Sequence, residues 1–393
     1  MREENQLRII TALIESYQFD IPLVVYLRSF FKKHPQMGST DRRLATEMVY
    51  HYFRTGKSVS EGRTIERIAI ACFLCSNSGS NLVDYCIQKY LVLKTDDIVK
   101  TIDEKIGLVT EAYPSFNSGR IFPFRDLLSN EIDFEKFAHS FLVQPLLWIR
   151  LRNKFANEVM DEFASLGIEV TKDEINPLTV SVKQSPKLEA TNAFQKGYFE
   201  IQDRSSQQTL SFLNAAPGQN WWDACAGAGG KSLLLEDNEP AVSIMATDSR
   251  PSILKNYIAR HLRAGLKNYQ TLVADVSTAD LPPEYGNVDG VIADVPCTGS
   301  GTWSRTPESI LMFKQESLAG YVDLQRKIIR NISNRIKPGT PIAYITCSVF
   351  ARENEGNIDW LLENIPLQLE RSEYLKGYEQ RANTLFAAKL VKR

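Results

Sequence analysis

Histidine is scarce in this chain, and cysteine is present but scattered. Only four of the 393 residues are histidines, and none lies close to a pair of cysteines. Because a structural zinc site needs four such ligands grouped along the chain, we predict that the protein binds no metal. The six cysteines are also too dispersed for the disulfide framework of a small secreted domain. We therefore expect free thiols in a reducing compartment.

Long apolar runs and a secretion signal are missing as well. No hydrophobic run reaches the roughly 20 residues that a membrane-spanning helix requires. The first residues, Met1 to Gln6, lack the basic-then-apolar pattern of a signal peptide. These absences favour a cytoplasmic protein without a membrane partner, and a monomer is the default expectation.

The chain also lacks an excess of either charge. Its formal net charge is -1, so it has no global basic field of the kind that marks many nucleic-acid binders. A local basic face is enough to hold phosphates, and Lys32, Lys33, Arg42, Arg43 and Arg54 cluster near the N-terminus. The alternative interpretation of this cluster is a solvated helix face.

The length and the remaining composition predict a globular protein of two or three domains. Residues 1–132 are predicted to be helical, because apolar side chains recur at helical spacing from Leu7 to Ile14 and from Leu44 to Phe53. Residues 133–200 are predicted to form a small α/β subdomain. Its strands are the alternating segments 147–152 and 178–182, with a helix at 155–166 between them.

Residues 201–393 alternate short β-branched runs with longer helical ones. The predicted strands are 220–224, 243–247, 271–274, 290–293 and 342–346, and the helices between them include 251–264 and 317–336. This alternation predicts a doubly wound, mostly parallel sheet. Such sheets bind ligands beyond the carboxyl ends of their strands.

Three aspartates end consecutive strands of this predicted sheet. Asp223 leads into a glycine loop that ends at Lys231, and Asp248 stands where an acidic residue would accept both hydroxyls of a ribose. Asp275 is placed to accept from an adenine amino group. Each aspartate alone could be a helix cap, but together they favour a cofactor that carries a nucleoside. NAD is one alternative, although the loop lacks the sixth-position glycine of its G-x-G-x-x-G fingerprint.

Two cysteines follow the next two strands. Asp294 and Cys297 lie after the fourth strand, and Cys347 lies after the fifth. A buried structural thiol is the usual alternative for a free cysteine. A thiolate that adds to C6 of cytosine makes C5 nucleophilic, and a second group is then useful to release the product. Asp294 is the candidate acid near N3. Spacing alone does not decide which cysteine attacks.

Four segments taken together resemble the NOL/NOP/Sun family of RNA cytosine-5 methyltransferases, with the bacterial Sun or Fmu ribosomal branch as the nearest match. They are residues 199–206, 223–231, 294–301 and 346–348. The resemblance implies a Rossmann-like class I methyltransferase domain preceded by a small ferredoxin-like or RRM-like subdomain. It makes Cys347 the nucleophile and Cys297 the residue that assists release. It gives S-adenosylmethionine binding to Cys225, Ala226, Gly227, Ala228, Gly229, Gly230, Lys231, Asp248, Asp275 and Asp294.

Residues 38–43 and 49–54 resemble the helical NusB-like RNA-binding domain attached to Sun-type enzymes. The implied partner is RNA, with small-subunit rRNA favoured and transfer RNA as the alternative. The candidate RNA contacts are Arg42, Arg43, Arg54, Arg150, Arg152 and Arg204.

The chain departs from the family pattern at two places. The family has C-A-A-P-G-G-K where this chain has Cys225-Ala-Gly-Ala-Gly-Gly-Lys231, and we expect cofactor binding to survive because the last two glycines and the lysine remain. The family's D-G-F-F-x-A is here Asn383-Thr-Leu-Phe-Ala-Ala388. This second difference leaves the RNA target open.

Two other functions compete with this interpretation. An enzyme that methylates an exocyclic amine would carry an aromatic residue in a D/N-P-P-Y/F/W motif, which the segment Asp294-Val-Pro-Cys297 lacks. A non-catalytic NusB-like RNA-binding factor would have no need to keep both cysteines and all three aspartates. Substitution of Cys347 separates these ideas, because only the cytosine-5 enzyme should lose its chemistry.

Overall fold

A computed structural model describes residues 2–182, 187–278 and 283–393. They form two compact units. The first comprises residues up to 126 together with 133–144 and 303–314, and the second comprises 127–132, 145–302 and 315–393. The division into residues 1–132, 133–200 and 201–393 stays a prediction. In the part of the chain that the structure describes, no helix is long and apolar enough to cross a bilayer.

The first unit is helical, as predicted. Its most apolar helix is buried along Ile68 to Leu74, and a capping box between Thr101 and Glu104 begins another helix. The unit contains α1 (Arg2–Glu15), α2 (Leu23–Lys33), α3 (Ser39–Arg54), α4 (Thr64–Cys75), α5 (Asn81–Tyr90), α6 (Ile102–Ala112), α7 (Phe134–Ser140) and a short helix at Ser309–Met312.

The second unit begins with a small antiparallel sheet in the order β2-β3-β1-β4. With its helices the chain order is β-α-β-β-α-β, the ferredoxin-like arrangement that was predicted. Its core is apolar and includes Ile149, Phe163 and Phe199. The elements are β1 (Leu147–Leu151), α8 (Ala156–Ser165), β2 (Val170–Lys172), β3 (Thr179–Val182), α9 (Asn192–Gln195) and β4 (Phe199–Ile201).

A seven-stranded sheet follows in the order β10-β11-β9-β8-β5-β6-β7. Strands β5 to β9 are parallel, whereas β11 and β10 run antiparallel, so the Rossmann-like prediction is confirmed and a final hairpin is added. The elements are α10 (Arg204–Gln208), β5 (Asn220–Asp223), α11 (Gly230–Asn238), β6 (Ser243–Asp248), α12 (Pro251–Ala264), β7 (Tyr269–Val273), β8 (Gly290–Asp294), α13 (Ser317–Arg335), β9 (Pro341–Thr346), α14 (Glu355–Asn364), β10 (Leu367–Lys376) and β11 (Thr384–Lys392).

The direction of winding reverses at β5. From β5 the chain builds outward through β6 and β7, and it then returns to place β8 and β9 on the other side. This reversal opens a crevice at the carboxyl ends of β5 and β8, which is where doubly wound sheets bind ligands.

The loop after β5 approaches α12 so closely that it needs glycine. Gly229 has a φ of 78°, and a Cβ there would lie 2.6 Å from both the Tyr257 and His261 rings. Gly227 also has a positive φ, 53°, but nothing lies within 4 Å of its Cβ position. A side chain at Gly227 would therefore meet backbone strain alone, whereas a side chain at Gly229 would meet both backbone strain and a steric clash.

We expect Gly229→Ala to lower the free energy of unfolding by about 1–3 kcal/mol more than Gly227→Ala does, because only the first adds overpacking against the buried rings of α12. Urea unfolding of the two variants measures the difference. Equal losses of unfolding free energy in the two variants would mean that the Tyr257 and His261 rings move aside without an energetic cost.

Candidate active site

The crevice at the carboxyl ends of β5 to β8 holds a cavity of about 390 Å³. That volume lies in the range of roughly 300–1,000 Å³ that is usual for small-molecule sites. The strand ends supply its polar side chains, and the middle of α13 supplies apolar ones, including Leu324 and Ile328. The predicted site residues that line it are Cys225, Asp248, Asp275, Asp294 and Cys297.

Lys231 joins the glycine loop to the end of β8. Its buried Nζ lies 2.9 Å from Asp294 Oδ2. Burial by itself would lower the pKa of Lys231, but the attraction of Asp294 and, more weakly, of Cys347 outweighs it and raises that pKa. Lys231 therefore stays protonated and donates to Asp294.

Asp223 lies beneath the loop and does not line the cavity. Its Oδ2 accepts a 2.6 Å hydrogen bond from Ser232, while Oδ1 has no hydrogen-bond partner among the described residues. Burial raises the pKa of Asp223 to about 7, and the bond from Ser232 acts in the opposite direction. We therefore assign Asp223 to the support of the loop.

Asp248 is fully occupied by its own neighbours. Oδ2 accepts from the Gly227 N–H and from Arg250 Nη2, and Oδ1 accepts from the Arg250 N–H and from its Nε, all at 2.9–3.0 Å. These four bonds use the four lone-pair positions of a carboxylate. The Arg250 side chain itself is 62% exposed. Sequence reasoning missed this residue, although its place two positions after Asp248 was a visible signal.

Asp275, by contrast, is exposed at the rim of the cavity. Its Oδ1 accepts a 2.9 Å bond from the Ser277 N–H. The remaining capacity of this carboxylate is available to a ligand in the cavity.

The two predicted cysteines meet. Their sulfur atoms are 3.3 Å apart, and both residues are partly exposed. The hydrogen bond to Cys347, together with burial, raises the pKa of Cys297 well above its ordinary value. At this distance a thiol of one cysteine can donate to the sulfur of the other.

A polar network behind the cysteines escaped the sequence reasoning. Buried Glu353 and Asn354 lie in the segment between β9 and α14, and they hydrogen-bond to residues beside both cysteines. Thr346 Oγ1 donates to Asn354 Oδ1 at 2.6 Å, and Asn354 Nδ2 donates to the Ser348 carbonyl at 2.9 Å. The available signal was a Glu-Asn-Glu run that begins six residues after Cys347.

The arginines predicted to contact RNA fall into two groups. Arg54 is buried and donates to the carbonyls of Phe141 at 3.1 Å and Ser304 at 2.8 Å, so the structure contradicts an RNA contact for it. Arg42 is half-buried and Arg43 is exposed at the start of α3, and their RNA contact stays a prediction.

The arginines of the small sheet and of α10 serve internal ion pairs. Arg150 and Arg152 both bind the carboxylate of Asp237, and Arg204 Nε lies 2.5 Å from Asp173. Arg150 and Arg204 are only 6% and 7% exposed. Because these guanidinium groups already have carboxylate partners, the predicted phosphate contacts of all three are withdrawn.

The sheet order and the site define a Rossmann-like methyltransferase domain. Residues 210–385 match the family model described as 16S rRNA methyltransferase RsmB/F. This part of the chain is similar to the RsmB/F methyltransferase family.

Curated relatives and solved structures give further similarities. Ribosomal RNA small subunit methyltransferase B of Klebsiella pneumoniae is 27% identical over 268 residues, which cover 64% of this chain and 60% of that protein. The chain spans about half the length of the curated relatives it matches. The crystal structure of PH0851 covers 98% of both chains at 23% identity with a TM-score of 0.70. NSun6 from Pyrococcus horikoshii with SFG covers 67% of this chain and 96% of its own at 18% identity, with a TM-score of 0.58. These two structures support the fold.

Proposed function

We propose that this chain is an S-adenosylmethionine-dependent RNA cytosine-5 methyltransferase. The observation that carries the proposal is the pair of sulfur atoms, Cys297 and Cys347, 3.3 Å apart beside the crevice of a methyltransferase domain. Methyl transfer to an exocyclic amine needs no cysteine, because the nitrogen lone pair attacks directly. A non-catalytic RNA-binding factor has no use for two adjacent thiols.

The residues of the crevice fit S-adenosylmethionine. A cavity of about 390 Å³ carries a carboxylate for the ribose at Asp248 and a second one near the adenine at Asp275. The loop from Cys225 to Lys231 begins α11, whose free N–H groups suit a polar ligand. The cofactor supplies an electrophilic methyl group. The SFG ligand of the Pyrococcus horikoshii NSun6 structure, an S-adenosylmethionine analogue, supports this choice.

Cys347 acts as the nucleophile in this proposal. Its thiolate forms a bond to C6 of cytosine, which makes C5 an enamine carbon able to attack the methyl group. Cys297, whose sulfur lies 3.3 Å from that of Cys347, takes the supporting role that the family resemblance of its segment implies. In the last step a base such as water takes the C5 proton, the electron pair of that bond re-forms the C5–C6 double bond, and the Cys347–C6 bond breaks. The Cys297 sulfur, 3.3 Å away, is placed to assist the departing Cys347 thiolate.

Asp294 is proposed to act at N3 of the cytosine ring. It reaches the cavity from the end of β8 and receives a hydrogen bond from Lys231. An acid at N3 stabilises the negative charge that enters the ring when the thiolate adds at C6. The protonated Lys231 supplies a proton source directly behind Asp294.

The RNA substrate is proposed to be small-subunit rRNA. The matched family and the curated relatives carry that substrate in their descriptions. A cytosine stacked in a helix hides C6 from a thiolate, so the target must be unpaired or flipped out. Within the described ranges no cluster of side chains could hold a metal ion, and the mechanism proposed here needs none.

The two cysteines should fail in different ways. Cys347→Ala should form no covalent protein–RNA complex and no product. Cys297→Ala should accumulate a complex that survives denaturing electrophoresis, because the Cys347–C6 bond forms but breaks slowly. The opposite pattern would exchange the two roles while leaving the cytosine-5 chemistry in place.

Asp248 and Arg250 should affect cofactor binding in opposite directions. Asp248→Ala should weaken S-adenosylmethionine binding by roughly 1.5–3 kcal/mol, the usual loss for a hydrogen-bond partner of a charged group. The ribose can reach Asp248 only when the Arg250 side chain leaves, so Arg250→Ala should tighten binding. The gain should be about 0.3–1 kcal/mol, because the ion pair is largely exposed. Calorimetry without RNA measures both, and unchanged affinity for Asp248→Ala would remove Asp248 from the ribose role.

The target can be identified by bisulfite maps of total RNA from cells with and without the gene. We expect one cytosine of small-subunit rRNA to lose its methyl mark. Loss confined to transfer RNA would overturn the assignment of the substrate and keep the chemistry. Loss at no cytosine would contradict the proposed function itself.

A further inference from the structure

A carboxylate with no exposed surface lies behind the cysteine pair. Glu353 is 0% exposed and stands in the segment that connects β9 to α14. Neither the proposed attack on cytosine nor the cofactor crevice uses it. A buried acidic side chain is costly to desolvate, so its partners need explanation.

Glu353 accepts hydrogen bonds at all four of its lone-pair positions. Oε1 accepts from the Thr298 N–H at 2.9 Å and from Gln325 Nε2 at 3.0 Å. Oε2 accepts from the hydroxyls of Thr298 and Ser348, each at 2.5 Å. The carboxylate is therefore satisfied by neutral donors, and in the described part of the chain no lysine or arginine forms an ion pair with it.

The donors come from two separate loops. Thr298 immediately follows Cys297 in the loop after β8, and Ser348 immediately follows Cys347 in the loop after β9. One carboxylate thus ties together the two loops that carry the sulfur atoms. A second tie reinforces it, because the Gly301 N–H donates to the Cys347 carbonyl at 2.9 Å.

Glu353 is held in place by hydrogen bonds from β9 and α13. The Tyr344 hydroxyl donates to the Glu353 carbonyl at 2.6 Å, and Gln325 Nε2 also lies 2.9 Å from the Pro296 carbonyl. Tyr344 belongs to β9 and Gln325 to α13, so the anchor rests on regular elements of the fold. An apolar side chain in the same place would avoid the desolvation cost but could not hold either loop.

We propose that Glu353 is a positioning residue that sets the separation of the Cys297 and Cys347 sulfur atoms. This inference deepens the proposed function, because the pair must stay in contact for Cys297 to assist Cys347. The separation itself can be measured without RNA or cofactor. Misplacement of reacting groups by about 1 Å can change a rate by roughly 100-fold, so even a small relaxation of the two loops should be visible.

Disulfide formation between the two cysteines provides the first test. Diamide takes two protons and two electrons from the thiols and becomes the hydrazine, and peptide mapping identifies the Cys297–Cys347 link. The wild-type pair should close rapidly. Glu353→Gln and Thr298→Val should each slow disulfide formation by roughly 10–100-fold. The first variant removes the negative charge that holds the two loops, and the second removes the hydrogen bond from the Thr298 hydroxyl to Glu353.

Thr340→Val is the matched control. Thr340 precedes β9 at its amino end, the opposite end of the strand from Cys347, and the same loss of a hydroxyl there should leave the closure rate unchanged. Thr298→Val removes a single hydroxyl, so the fold should survive even if Glu353→Gln is unstable. Wild-type closure rates in folded Glu353→Gln and Thr298→Val would overturn the proposal.

Turnover provides a second test that a merely structural role would not satisfy. With RNA and S-adenosylmethionine, Glu353→Gln should lower kcat and leave KM near the wild-type value, and covalent complex should persist longer. A rise in KM with unchanged kcat would contradict a role in positioning the pair. If closure slows in the variants but wild type methylates no RNA, the proposed function fails and the positioning role stands.

Discussion

Parallel pairing of β5, β6, β8 and β9 is the constraint on which the site depends. Strands that run in the same direction end at the same edge of the sheet, so whatever follows each strand is brought to one place. Asp248, Asp294 and Cys347 are far apart in the sequence and meet because each one ends or follows such a strand. The reversal of winding at β5 then opens the space between them.

The same constraint explains why the sequence was informative about this half of the site. Strand bounds such as Gly290–Asp294 and Pro341–Thr346 differ from the predicted ones by a single residue, because buried parallel strands are short apolar runs between clear breaks. Once the strands are located, the residues after them are located too. The contact between Cys297 and Cys347 follows from neighbouring strands alone.

Charge pairing could not be predicted in the same way. Arg150 and Asp237 are 87 positions apart, and no pattern in either segment predicts that the two side chains form an ion pair. An arginine on a strand has the same appearance in the sequence whether it meets a phosphate or a buried carboxylate. Glu353 was overlooked for a related reason, since its partners Thr298 and Ser348 are ordinary loop residues until the fold brings them together. The hairpin of β10 and β11 was missed although most of β11 is buried, and only β10 is largely exposed along its length.

The segment 303–314 belongs to the helical unit although it lies between two stretches of the other one. Trp303 is 4% exposed and packs near the rings of Phe122 and Phe124, and Glu308 accepts from the Leu23 N–H at 3.2 Å. A fragment that begins at residue 145 would therefore keep this segment without the helices that cover it, leaving a tryptophan and a buried acid in water. Neither unit is a contiguous stretch of gene, so the helical unit cannot be gained, lost or exchanged by cutting the coding sequence at a single point.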